Sequence, residues 1–211
     1  MKANKPANPR ARAVLACACL LALGACGVIP KREPTAIYEP PRPAMAQHAD
    51  WPQANWSLVV AKPVASALID NDRIAVRPAS GEITVYKASA WTDPAPDLVQ
   101  NALLRRFEDS GKILSVSRPG AGVRGEYQLQ TDLRTFESVY ASPGRPEAHV
   151  EIYARLVNTG DGHVVAARAF SETEASSSED LNAVVDAFSR ALGRATDNIA
   201  GWTLASGARR N

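Results

Sequence analysis

The chain has 211 residues, 24 Lys and Arg against 22 Asp and Glu, a formal charge of +2, and 45% hydrophobic residues. Four of the basic residues fall within the first 25, so the 186 residues from Cys26 onward carry 20 basic against 22 acidic side chains and a net charge near −2. That balance leaves no electrostatic footprint for nucleic acid, and the length suits one well-buried domain but is short for two.

Residues 1–25 read as a signal peptide. Lys2, Lys5, Arg10 and Arg12 form a basic start without an acidic residue, and Ala13 to Leu23 is an uncharged run of 11 residues, as the first two zones of a secretory signal require. Leu23-Gly24-Ala25-Cys26 follows and resembles the lipobox of bacterial lipoproteins, in which cleavage precedes a cysteine that then receives acyl chains. An anchor helix is the alternative, but it needs about 20 consecutive apolar residues. Here Gly24, Gly27 and Pro30 interrupt the run and Lys31 ends it. Arg10 and Arg12 are separated by Ala11, which does not match a twin-arginine signal. Cys17 and Cys19 leave with the signal, so lipidation of Cys26 consumes the last thiol and leaves none for a disulfide or a cysteine metal site.

Residues 26–55 are expected to be the lipidated cysteine and a Pro-rich tether. Pro30, Pro34, Pro40, Pro41, Pro43 and Pro52 fix φ and remove donors, and no periodicity runs through the segment. Fully extended, some 25 residues would reach roughly 75 Å; a floppy linker is the equal alternative.

The folded domain is expected over residues 56–205, with 206–211 as a tail. "WSLVVAKPVAS" (56–66) reads as a strand nearing a sheet edge at its proline. "RIAVRP" and "EITVYK" form a hairpin across Ser80-Gly81. A helix follows, with Asp93 as cap, Pro94 or Pro96 in its first turn, and Leu98, Ala102, Leu103 and Phe107 on one face before Ser110-Gly111. "KILSVS", the period-2 stretch "YQLQTDLRTF", and "AHVEIYARLVN" with "HVVAARAF" across Gly160-Asp161-Gly162 are four more strands. Leu181, Val184, Val185, Phe188, Leu192 and Ile199 stripe the last helix, entered through Ser176 to Ser178 with Glu179 and Asp180 in capping-box range. The order is βββ-α-ββββ-α: one α/β domain of α+β type, a mixed, mostly antiparallel sheet covered by two amphipathic helices. Such packing is expected to leave little room for a cavity of several hundred Å³.

Few residues point to chemistry. "GAGVRG" (120–125) matches G-x-G-x-x-G, but a dinucleotide fingerprint needs a helix directly after it, and an alternating strand comes instead. The glycines therefore read as a loop with positive φ. His48 lies in the tether; His149 and His163 begin strands as solvated side chains without metal-ligand spacing. "DND" (70–72) reads as a turn, and the serines lack a nucleophile-elbow context. Catalytic, metal and cofactor-binding residues are thus expected to be none, with a covalent lipid on Cys26. Trp51, Trp56, Trp91 and Trp202 sit at element boundaries, where aromatics pin loops onto a core or meet a partner. Trp91 and Trp202 are the partner-binding candidates.

The stretches "WSLVVAKPVAS", "DRIAVRP", "ITVYKASAWTDPAPDLVQNALLRRFEDSG", "VVAARAF" and "DLNAVVDAFSRALGRATDNIAGW" resemble the ABC-type transport auxiliary lipoprotein component family, to which PqiC-like lipoproteins belong. The resemblance spans roughly residues 37–204, and Trp91-Thr92-Asp93-Pro94 is its most specific part. It implies an α/β domain lipid-anchored to the periplasmic face of the outer membrane. It also implies work beside an ABC permease, its ATPase and an MCE-domain protein that carry lipids between membranes. Only Cys26 carries over with a defined chemical role. Gly27 follows it in place of the aspartate that retains lipoproteins in the inner membrane of enteric bacteria. Self-association stays open, as does a second class of function, a lipoprotein that reaches through the cell wall to a peptidoglycan synthase. A periplasmic hydrolase is disfavoured because no site is visible.

Overall fold

The computed structural model describes residues 34–42, 47–122, 124–140 and 144–208. Cys26 and the expected signal peptide lie outside the described residues. The compact unit runs from Thr35 to Asn211, and its described residues form ten strands and two helices.

The central sheet is built on three long strands, β8 (Tyr127–Val139), β9 (Glu147–Asn158) and β10 (Val164–Ala175), joined as antiparallel neighbours. Their inward faces follow the period of two that a half-buried strand demands. Tyr127, Leu129 and Leu133 on β8 are buried, as are Ala148, Val150, Ile152, Ala154 and Leu156 on β9. A register shift between Leu133 and Thr135 advances the phase of β8 by one residue, so that Phe136 and Ser138 again face inward. That irregularity lets the strand continue past the expected end at Phe136.

On the other side of β8 the pairing turns parallel. β2 (Ala54–Val60) lies beside the first half of β8 and beside β7 (Ile113–Ser117), giving the order β10-β9-β8-β2-β7. The second half of β8 takes β3 (Val64–Ala65) and β4 (Ala75–Arg77), and β4 forms the expected hairpin with β5 (Thr84–Val85). The single strand expected over 56–66 is divided because Pro63 offers no donor to the ladder.

Helices α1 (Ala95–Ser110) and α2 (Leu181–Ala208) contact each other and cover the sheet's inward face. Leu98, Val99, Leu103, Leu104 and Phe107 of α1, and Val184, Phe188, Ala191, Ala195, Ile199 and Leu204 of α2, join the core. Burying each large apolar side chain is worth about 1.5–3 kcal/mol. Asp93 does not cap α1: Pro94 stands at the N-cap with ψ 142°, without a side-chain cap bond, and Asp97 lies in the first turn. Gly111 ends the helix in the left-handed region, as expected. At the entry to α2, Ser176 Oγ donates to Ser178 O at 2.6 Å, and the Asp180 N–H donates to Ser178 Oγ at 3.2 Å.

Of the residues expected to be tether, 36–38 and 54–55 lie in strands of the fold. β1 (Ala36–Tyr38) pairs in parallel with β6 (Ser89–Trp91) as a separate two-stranded sheet. Beyond it Ser189 Oγ of α2 donates to Pro41 O. Three-residue strands carry no readable alternation, and their partners are some 50 residues apart in sequence, which is why the expected order lacked both.

Candidate functional site

α1 carries an arginine on its apolar face. Arg106 lies within one helical turn of Leu103 and beside Phe107, and it is 1% exposed. A guanidinium cannot remain there without compensation. Its Nε donates to Asp197 Oδ1 of α2 at 2.5 Å, and its Cζ sits 4.3 Å from the centroid of Trp51. The other oxygen of Asp197 lies 2.6 Å from His48 Nε2. His48 in turn stacks on Trp51, with centroids 4.4 Å apart and planes 7° from parallel. The segment around residues 48–51 is thereby strapped onto both helices by one carboxylate, one guanidinium and two stacked rings.

A close approach makes the strap possible. A Cβ at Gly201 would stand 2.8 Å from Trp51 Nε1, so only glycine lets the indole lie against α2. The sequence signals were present but faint: an arginine within an apolar helix face, and a glycine inside a 28-residue helix.

Beside the strap opens a cleft of about 580 Å³, walled by His48 and Trp51, by Arg168 to Glu172 of β10, and by Asp197 to Ala205 of α2. It opens where α2 passes the edge strand β10, with His48 and Trp51 as a third wall, which is how a cleft of several hundred Å³ arises where none was expected. Phe170 and Trp202 form its apolar floor in an edge-to-face pair at 5.5 Å. Arg168 reaches over Phe170 with its Cζ 5.2 Å from the ring centroid.

The expected partner-contact residues separate. Trp202 is half-buried and lines this cleft. Trp91 is 2% exposed, packed edge-to-face on Phe136 at 5.8 Å and Phe188 at 5.1 Å. It is a core residue, and its burial removes it from any surface open to a partner. His48 is corrected as well, from a tether residue to a member of the Asp197 network. His149 lies 3.4 Å from Glu147, and the His163 N–H donates to Asp161 Oδ1 at 2.9 Å. In the "GAGVRG" loop, Gly120 and Gly122 have φ of +80° and +78°, and the chain runs on into β8. "DND" is a turn in which Asn71 Oδ1 accepts the Arg73 N–H at 2.8 Å. Among the described residues no cluster of three or more His, Cys, Asp or Glu side chains is placed to hold a metal, and no helix is long and apolar enough to cross a membrane.

Together with the fold, the strap and the cleft define one mixed α+β domain, two helices packed on a curled sheet. The chain belongs to the ABC-type transport auxiliary lipoprotein component family, whose model matches residues 38–200. A crystal structure of a Xanthomonas campestris protein of the family DUF330 is 43% identical, with a TM-score of 0.79 over 83% of this chain and 98% of that one. A hypothetical protein of Chlamydia trachomatis shares the fold at 8% identity, with a TM-score of 0.53 over 74% of this chain and all of that one. An uncharacterised protein of Bradyrhizobium diazoefficiens is 30% identical over 148 residues, 70% of this chain. The match spans only 39% of the length of that relative.

Proposed function

We propose that this chain is a non-enzymatic outer-membrane lipoprotein of an envelope-spanning ABC/MCE-type lipid transport system, anchored through acylated Cys26 with its domain in the periplasm. Membership of the transport auxiliary lipoprotein family carries this reading. The Leu23-Gly24-Ala25-Cys26 lipobox supports it, and Gly27 supports the outer membrane as destination.

The start of the compact unit at Thr35 bears on the geometry. Eight residues separate Cys26 from it, a reach of at most about 28 Å instead of the roughly 75 Å expected for a tether through residue 55. The domain then works close to its own membrane, and the inner-membrane assembly must come to it. So short a link does not suit a lipoprotein that crosses the cell wall to a synthase.

The test is in vivo photocrosslinking from surface positions of the domain, combined with deletion of the gene. Capture of an MCE-domain protein, with heightened sensitivity of the deletion strain to detergent, is the expected result. Crosslinks confined to peptidoglycan synthases would replace the transport reading with the regulatory one.

A further inference from the structure

The outer edge of β10 is treated differently at its two ends. β10 is the terminal strand of the sheet, paired only with β9 among the described residues. The Ser176 N–H donates toward Pro146 on the β9 side, whereas Thr173 O and Ala175 O accept from Arg194 Nη2 at 2.7 Å and Arg190 Nη2 at 2.9 Å of α2. Odd-numbered backbone groups of β10 therefore face outward, because successive residues of a strand present theirs to opposite sides. Two arginines cap that edge at 173 and 175. Ala167, Ala169 and Ser171 present the same groups with no cap among the described residues, and all three are exposed.

The uncapped stretch borders the cleft. Arg168 and Phe170, the even-numbered residues between, project toward the cleft, where Phe170 meets Trp202 and Trp51 stands opposite. Arg168 is exposed and has no carboxylate partner among the described residues. An open sheet edge beside an aromatic-floored cleft is the arrangement that accepts an added strand: backbone bonds supply affinity, and alternate side chains supply selectivity.

We propose that β10 binds an extended segment of a partner protein by strand addition along Ala167–Ser171. Residues directly opposite in a ladder share a face. The segment therefore sets two cleft-facing side chains, two residues apart, against Arg168 and Phe170. The charge calls for an acidic side chain opposite Arg168, and the Trp202–Phe170 floor calls for a large aliphatic or aromatic one opposite Phe170. The small residues Ala167, Ala169 and Ser171 leave the segment's solvent-side positions unrestricted.

A short segment fits better than a second copy of this chain. The open stretch is about 17 Å long, too little for the ~800 Å² per partner of a stable interface between folded domains. Within it, a second β10 would bring another arginine and phenylalanine but no carboxylate. The inference goes beyond the transport reading and holds for either membrane and any cargo.

The test is selection of random nine-residue peptides displayed on phage against the detergent-solubilised full-length chain, with synthetic copies of the winners then measured by fluorescence anisotropy. Enriched sequences should carry an acid and a large apolar residue two apart, and should slow amide exchange at Ala169 and Ser171. Ala169→Pro deletes an outward N–H on an edge strand, a position where proline is tolerated; it should weaken binding about tenfold or more. Arg168→Glu, a surface change independent of any proline effect on folding, should weaken those peptides about tenfold and shift a repeated selection toward Lys and Arg. No enrichment, or winners that bind both variants as tightly as the parent, would overturn the proposal. A fall in sedimenting mass of Ala169→Pro with no peptide bound by the parent would assign the edge to contact between copies and overturn it equally.

Discussion

Arg106 and Asp197 meet at 2.5 Å between the two helices, one 1% and the other 24% exposed. The asymmetry fixes what each substitution does. Loss of the carboxylate leaves a guanidinium in the core, whereas loss of the guanidinium leaves a carboxylate that can turn to water. Asp197→Asn is expected to lower unfolding free energy by about 3 kcal/mol, and Arg106→Met by clearly less, in urea titrations followed by tryptophan fluorescence. Equal losses would show that Asp197 is not the main compensation for the buried charge.

A pair of glycines on α2 gives a second contrast. A Cβ at Gly207 would collide with Cζ2 of Trp56, which is 1% exposed, while one at Gly201 would meet half-exposed Trp51. Trp56 has no route of escape, so Gly207→Ala is expected to cost about 1–3 kcal/mol, as overpacking does. Gly201→Ala should cost less in stability, because Trp51 can swing outward, and should show instead as a red-shifted emission from Trp51. Full stability of Gly207→Ala would mean that α2 shifts freely over the sheet.

How much of this was legible beforehand depended on whether the information was local. The stripe Val184, Val185, Phe188, Leu192 and the alternation Tyr127, Leu129, Leu133 repeat within a few residues, so both helices and the long strands could be read directly. β1 and β6 exist only as each other's partner, and the strap depends on His48 finding Asp197, 149 residues away. No window of sequence contains such a pairing. Trp91 misled for a related reason: its neighbours Asp93 and Pro94 mark a boundary, but Phe136 and Phe188, brought in from β8 and α2, close over it.

Alkaline pH should unfold the domain through groups that hold their protons more tightly when folded. Burial pushes the Tyr86 phenol up, beyond the ordinary tyrosine range, with its hydroxyl 3.1 Å from Ser138 Oγ. The hydrogen bond to Asp97 at 2.8 Å raises Lys62. Both are protonated in either state below pH ~10, so their stabilisation is fully present there. Above it the unfolded chain releases protons first, and stability falls as pH rises toward the folded values, by up to about 1.4 kcal/mol per pH unit for the Tyr86 proton and by much less for Lys62, whose exposed ammonium is screened by solvent. Tyr86→Phe should flatten the slope between about pH 10 and 12, and Asp97→Asn should remove most of the lysine part. An unchanged slope in Tyr86→Phe would mean that the phenol is as free in the fold as in the unfolded chain.

The anchor is tested by two neighbouring substitutions that separate attachment from destination. Two or more acyl chains hold a protein stably where one is marginal, so the reading requires that Cys26 be both the cleavage boundary and the lipid acceptor. Cys26→Ser should therefore accumulate as uncleaved precursor or as protein absent from the outer-membrane fraction, visible as a larger band on a gel and as loss of metabolic palmitate label. Gly27→Asp keeps the acceptor and should keep the label, but in an enteric host it should move the protein to the inner-membrane fraction on a sucrose gradient. Restriction to about 28 Å from the lipid then places the domain at the wrong end of the periplasm. The detergent sensitivity of the deletion strain should consequently be rescued by the parent chain and by neither variant. Rescue by Cys26→Ser would show that the domain works without its anchor and would remove the membrane from the proposed function.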